Sequence, residues 1–337
     1  MNKFQELVEI KKDTAYVCNN GSAKIAFVAD LGARVFCELD GQSLHRLDVD
    51  NVKNPDKPFN NYGGNNFWPA PEGGMFGFNY DGDTWRVQTA INNEPFLIKS
   101  SSKDSAVAEK RAILKNRKGT NIEVRMQRAF AIDNIADVLA GENPECCFAY
   151  TVEDKIEVLN KVKIQDALLS CWTLEQFDAS DNTFGFVKVK NPEAAINFDF
   201  YEDPREKITY KTGGFIYKTD GQKAGQIGIK TGSKAEFAGF YDLSKKMICI
   251  REIVGESEGI YFNIADNAQP DGPFSASDNY SIFNGGKDHG FFEIETIGAA
   301  IVDGDFLKGS KLKSRTSFAV FDSKERVQKL INNLIGI

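Results

Sequence analysis

The strongest constraint on this chain is a period of two. In "TNIEVRMQRAF", Ile122, Val124 and Met126 alternate with Glu123, Arg125 and Gln127, so one face is apolar and the other polar, as in a half-buried β-strand. The rhythm recurs between turn signals. "AKIAFVADLGARVFCELDGQSL" reads as a strand, Gly32, a second strand, then Asp40-Gly41. "TYKTGGFIYKTDGQKAGQIGIKTG" breaks at Gly213-Gly214 and Asp220-Gly221, and "AEFAGFYDLSKKMICIREIV" folds about Asp242–Lys245. Short connections of this kind join antiparallel strands, and they predict an all-β chain.

Helical periodicity is scarce. "DSKERVQKLINNLIGI" places Val327, Leu330, Ile331 and Leu334 at helical spacing. Asp322 with Glu325 three residues later predicts a capping box at its start. "ELVEI" and "IADVLAG" are shorter helix candidates. No repeat, linker or shift of composition marks a boundary, so residues 1–337 are expected to form a single domain. The stretch Ala265–Gly290 reads as a long irregular loop, a feature that is often functional.

The net charge of −7 argues against a nucleic-acid partner and offers no polybasic patch for anionic lipid. No apolar run is long enough for membrane insertion, and "MNKFQELVEIKKD" lacks the apolar core of a signal peptide. The expectation is a cytoplasmic protein as the sequence stands, or a secreted or periplasmic one if the start was trimmed. The six cysteines form no CxxC, and they read as buried, reduced thiols rather than disulfides or zinc ligands. No phosphate loop, dinucleotide fingerprint, HExxH or GxSxG is present. No cofactor and no metal is therefore expected. The sequence does not specify an oligomeric state.

Three segments carry candidate chemistry. "NNYGGNNFWPAPEGGMFGFNY" gathers glycine, asparagine and aromatic residues about two prolines, with one charge, Glu72. Amides such as Asn65 and Asn66 suit sugar hydroxyls, and a ring such as Trp68 suits the apolar face of a pyranose. The competing reading is a packed turn whose glycines serve only backbone geometry. "HGFFEIETIGAA", read as a strand, puts Glu293 and Glu295 on one face and Phe292 and Ile294 on the core side. Two such carboxylates lie roughly 7 Å apart at their Cα atoms, close enough to raise one another's pKa. The competing reading is a solvated strand face. "LLSCWTLEQFDASDNT" again sets a ring, Trp172, beside Glu175 and Gln176, or else it is a half-buried strand with a core tryptophan.

These pieces, with "DLGARVFCEL" and "NYSIFNGGKDHGFFEIETIGAA", resemble the galactose-mutarotase-like, or aldose 1-epimerase-like, superfamily, and within it an uncharacterised bacterial branch. The resemblance spans about residues 30–320 and implies a β-supersandwich that holds a sugar on one sheet face. It implies that a C-terminal glutamate, Glu295 with Glu293 as the competing assignment, is the general base. Arg34, Asn65, Asn66, Trp68, Trp172, Glu175, Gln176 and Asn284 are the substrate-binding candidates. The family's histidine motif is missing: "CWTLEQF" stands in its place, and neither His45 nor His289 inherits its role. Glu72 or Glu175 is then the candidate acid. The alternatives are a glycoside hydrolase or lyase with paired carboxylates, and a sugar-binding module without chemistry.

Overall fold

A computed structural model describes residues 1–55, 59–200, 202–255, 259–262 and 277–336. Among these residues the chain is built from two large antiparallel sheets and a few short helices. The first sheet runs in the order Ala15–Asn20, Ala23–Val28, Arg34–Leu39, Asn65–Ala70, Ser170–Asp178, Phe291–Ile297, Asp278–Asn284, Gly225–Lys230 and Ile196–Asn197. The second has the long strands Ser105–Lys115, Asn121–Asp133, Cys146–Val158 and Phe306–Val320 on one side. Phe237–Asp242 and Met247–Ile253 continue it on the other.

The alternation read from the sequence is the alternation observed. Ile122, Val124 and Met126 are buried, and their neighbours Glu123 and Arg125 point away. The inner faces of the two sheets meet in one apolar layer. Phe177 of the first sheet lies 4.4 Å from Phe240 and 6.2 Å from Phe318 of the second, measured between ring centroids.

The helices close the outer faces. The C-terminal helix Lys324–Ile335 buries Val327, Leu330 and Ile331 against Phe186, Ile248 and Ile250 of the second sheet. Its N-cap is Ser323, one residue later than the expected capping box. The Ser323 hydroxyl accepts from the Arg326 amide, while Asp322 stays outside and takes the hydroxyl proton. The helix Lys3–Ile10 packs Phe4 and Leu7 against Ala26, Val28 and Phe36 of the first sheet.

Two further expectations change. Part of the supposed long loop is a strand, Asp278–Asn284, paired on both sides within the first sheet. Residues 265–276 of it lie outside the described residues. The thiols are all unpaired, but only Cys18, Cys37, Cys171 and Cys249 are buried; Cys147 is exposed.

The glycine pair before the Asn65–Ala70 strand has a packing reason. Gly64 donates to the Arg46 carbonyl at 3.0 Å and accepts from the Gln176 amide at 3.1 Å. The Gln176 carbonyl in turn accepts from the Arg46 amide at 3.0 Å. This three-way stitch needs close backbone approach. A Cβ on Gly63, whose φ is +85°, would stand 2.0 Å from the Arg46 carbonyl oxygen. Gly63→Ala is therefore expected to cost more than about 2 kcal/mol, through left-handed strain plus overlap with backbone. Urea unfolding of the variant against the wild type measures it.

Candidate functional site

Three adjacent strands at the middle of the first sheet, Asn65–Ala70, Ser170–Asp178 and Phe291–Ile297, set the site by their register. Trp172 stands opposite Trp68, Leu174 opposite Asn66 and Glu295, and Gln176 opposite Glu293. Beyond them, Glu293 pairs with Phe283 and Glu295 with Ser281. Because side chains alternate, Asn66, Trp68, Trp172, Gln176, Glu293 and Glu295 share the outward face. They line a groove of about 600 Å³ together with Arg34 and Glu72.

The same alternation sends their neighbours the other way. Asn65 and Glu175 stand opposite each other on the inward face, between the sheets, and do not line the groove. Asn65 donates to the Tyr150 hydroxyl at 3.2 Å and accepts from Arg128. Asn284 is also off the groove: it braces a turn, accepting from the Gly221 amide at 2.9 Å and donating to the Lys223 carbonyl at 2.8 Å.

Glu175 is the hub of the interior. Its carboxylate accepts from Arg251 and from the Tyr150 hydroxyl, from Thr316 at 2.8 Å, and from His45 Nε2 at 2.8 Å. The Cys37 amide donates to His45 Nδ1 at 3.0 Å. That fixes the tautomer whose Nε2 proton faces Glu175. Burial pushes the Glu175 carboxyl up, but the Arg251 charge and the hydrogen bonds of His45 and Tyr150 outweigh it and hold it near about 2. An acid pinned as a carboxylate inside the sandwich donates no proton to a ligand in the groove.

The outward carboxyls behave oppositely. Glu293 and Glu295 are 6% and 1% exposed, so the solvated-face reading does not hold. Gln176 donates to Glu293 at 2.6 Å, and the Trp172 indole donates to Glu295 at 3.0 Å. Gln226 reaches both Glu295 oxygens at 3.4 Å. Burial raises both carboxyls. A hydrogen bond between them lowers Glu293 and raises Glu295 further, as does the Glu293 charge on Glu295. The shared proton therefore rests on Glu295, while the charges of Arg46 and Arg34 favour ionised Glu293. One carboxylic acid and one carboxylate, held side by side in a groove, can exchange protons with a ligand.

The tryptophans divide. Trp68 and Trp172 are 5% and 2% exposed and meet edge to face at 6.1 Å, so they form the floor rather than open platforms. Glu72 accepts from the indole of a third tryptophan, Trp85, at 2.9 Å. Trp85, Arg46, Gln226 and Phe59 line the groove although the sequence did not mark them, and so does His289, which the sequence set aside as a stand-in for the family's histidine. Trp85 was the one tryptophan outside the quoted segments. His289 immediately precedes the Glu293–Glu295 strand, and only three-dimensional closure brings it to the wall. Among the described residues, no group of three or more His, Cys, Asp or Glu side chains is placed to hold a metal ion. No helix among them is long and apolar enough to cross a membrane.

The sequence profile of a family of unknown function, DUF6786, matches residues 2–337. The chain belongs to that family. No curated protein matches it. Among solved structures it resembles the Slr1438 protein of Synechocystis sp. PCC 6803, with a TM-score of 0.53 and 12% identity over 90% of this chain and 94% of the other. It resembles a putative aldose 1-epimerase of Escherichia coli K12, with a TM-score of 0.51 and 14% identity over 91% and 98%. A galactose mutarotase related enzyme from Lactobacillus acidophilus gives 0.50 and 12% over 92% and 99%. This DUF6786 chain thus has the fold of galactose-mutarotase-like proteins, in line with the resemblance read from its motifs; at such identities the likeness extends to the fold alone.

The two classes of glutamate predict opposite pH responses. Native Glu175 stays ionised down to about 2, whereas its ordinary value is 4.5. Its stabilising contribution is complete above about pH 4.5 and is lost as pH falls toward 2. Glu295 titrates above 4.5 in the native state, so it withdraws stability as pH rises from 4.5 through its native value. Urea midpoints measured from about pH 3 to 8 should show E295Q gaining on the wild type as pH rises. E175Q should lose about 3–5 kcal/mol at neutral pH by stranding the Arg251 charge, with a smaller deficit in acid.

Proposed function

We propose that the groove binds a carbohydrate and that Glu293 and Glu295 act on it as a proton-sharing pair, in an aldose-epimerase-like reaction. The observation that supports this reading is the pair itself: two buried carboxyls, two residues apart on one strand face, on the floor of a groove walled by aromatic rings and amides. Gln176, Asn66 and Gln226 are the hydroxyl partners, and the charges of Arg46 and Arg34 favour the ionised state of Glu293. The proposal treats 1–337 as one domain.

In the proposed step the ionised carboxylate takes the proton of the anomeric hydroxyl. The C1–O5 bond breaks as the ring oxygen receives a proton from the acid member or from His289. The open aldehyde turns about C1–C2. Reversal of both transfers closes the ring on the other face, with no net gain or loss of protons. His289 restores a candidate imidazole to a groove whose sequence lacked the family's histidine motif. Glu72 is engaged by Trp85, which weakens the reading of a hydrolase that would use it opposite the pair.

Ligand-observed NMR with a panel of aldoses tests both halves. Binding with accelerated exchange of the anomeric signals is expected. E295Q or E293Q should slow that exchange by about 10²–10⁴-fold while binding is largely kept. Sugar binding without acceleration would reduce the protein to a binding module. A panel with no binder would remove the carbohydrate reading altogether.

A further inference from the structure

Of the three tryptophans on the groove, one is built differently. Trp85 is 40% exposed, whereas Trp68 and Trp172 are sealed into the floor. It lies on a two-stranded hairpin, Tyr80–Asp81 with Thr84–Trp85, that pairs with neither large sheet. Its exposure is therefore not a by-product of core packing. The indole N–H is engaged by Glu72 at 2.9 Å, so what Trp85 presents to solvent is mainly its apolar ring. Phe59 stands perpendicular to it at 5.1 Å, with an interplanar angle of 89°, and also meets Trp68 edge to face at 5.9 Å. Trp68 in turn meets Trp172, whose N–H holds Glu295. The rings thus make a continuous series from the carboxyl pair outward to Trp85.

A half-exposed indole that lines the groove and is fixed by its N–H bond to Glu72 offers an apolar ring face to a ligand. The apolar face of a pyranose suits it, because CH groups meet the ring while hydroxyls at the sugar's edge stay wet. A single sugar whose anomeric centre lies at Glu293 and Glu295 sits over the Trp68–Trp172 floor, whereas Trp85 stands beyond Phe59 on the groove wall. The groove, at about 600 Å³, exceeds what one such ring fills.

Resting on the carbohydrate reading above, we propose that Trp85 forms a second, outer sugar subsite. The natural ligand is then a disaccharide or longer glycan whose reducing end lies at the carboxyl pair and whose next residue stacks on Trp85. Glu72 is a positioning residue for the indole.

The test compares glucose, the reducing-end unit of all three, with maltose, cellobiose and lactose by calorimetry on the full chain. At least one disaccharide should bind more tightly than the matching monosaccharide. W85A should weaken that disaccharide about threefold to tenfold and leave the monosaccharide unchanged, and W85F should restore most of the loss. At saturation, the fluorescence change that the disaccharide produces beyond that of glucose in the wild type should be missing in W85A. Equal affinity for both sugar classes, or a W85A variant that keeps the disaccharide preference, overturns the outer subsite and leaves the inner sugar site standing. Loss of monosaccharide binding in W85A also overturns it, because Trp85 would then belong to the inner site. Failure of every sugar to bind overturns both proposals together.

Discussion

The buried ion pair between Glu175 and Arg251 is the interaction on which the groove depends. Both side chains are fully buried. Arg251 comes from the second sheet and Glu175 from the central strand of the first, so the pair ties the sheets together behind the site. Removing two charges from water costs several kcal/mol each, and that cost is offset only when the remaining valences are filled. Here they are nearly filled: Arg251 also donates to Thr296 at 3.1 Å, Ser314 at 3.3 Å and the Ile294 carbonyl at 3.3 Å. Arg128 and Asp154 form a second buried pair beside it, with Thr173 donating to Asp154 at 2.7 Å. A one-residue slip of the Ser170–Asp178 strand would turn Glu175 and Thr173 outward and bring Trp172 and Gln176 in. The network thus specifies the register of the strand that carries half the groove.

That register produces two chemically different glutamate environments from strands that lie side by side. Inward, a carboxylate meets a guanidinium and three neutral donors, and its proton is expelled. Outward, two carboxyls meet each other, two amides and an indole, and a proton is retained between them. Residue type is the same throughout, and the partners decide. Neither glutamate could exchange its environment with the other without a break in strand alternation.

Much of this was legible from alternation, and its limits are legible in the same terms. Period two separated Phe292 and Ile294 from Glu293 and Glu295, and the structure keeps that division. The same rule applied to "NN" and "EQ" requires that only one residue of each pair face a ligand, yet composition draws both toward the site. Which one faces out depends on the register between strands distant in sequence, and that is set by the buried ion pairs. Pro69 also hides a strand: the sequence offers a packed turn as one reading of this segment, whereas Asn65–Ala70 is a strand whose pairing with the Arg34–Leu39 strand is confined to Asn65. Pro69 therefore sits where a missing N–H leaves no ladder bond open. Trp85 comes from a two-residue hairpin strand and Arg46 and His289 from turns and loops, all too short or irregular to carry a periodic signal.

The carboxyl pair also bears on whether the groove does chemistry. Keeping two carboxyls against each other under burial withdraws stability as the pH rises. For a module that only binds, one carboxylate with ordinary solvation, or an amide in place of Glu295, would hold a hydroxyl equally well without that cost. Two buried carboxyls on a strand otherwise filled by Phe291, Phe292, Ile294 and Ile297 mark this face as the candidate for proton transfer that the proposed reaction would use. Proton transfer at a sugar's anomeric centre uses both.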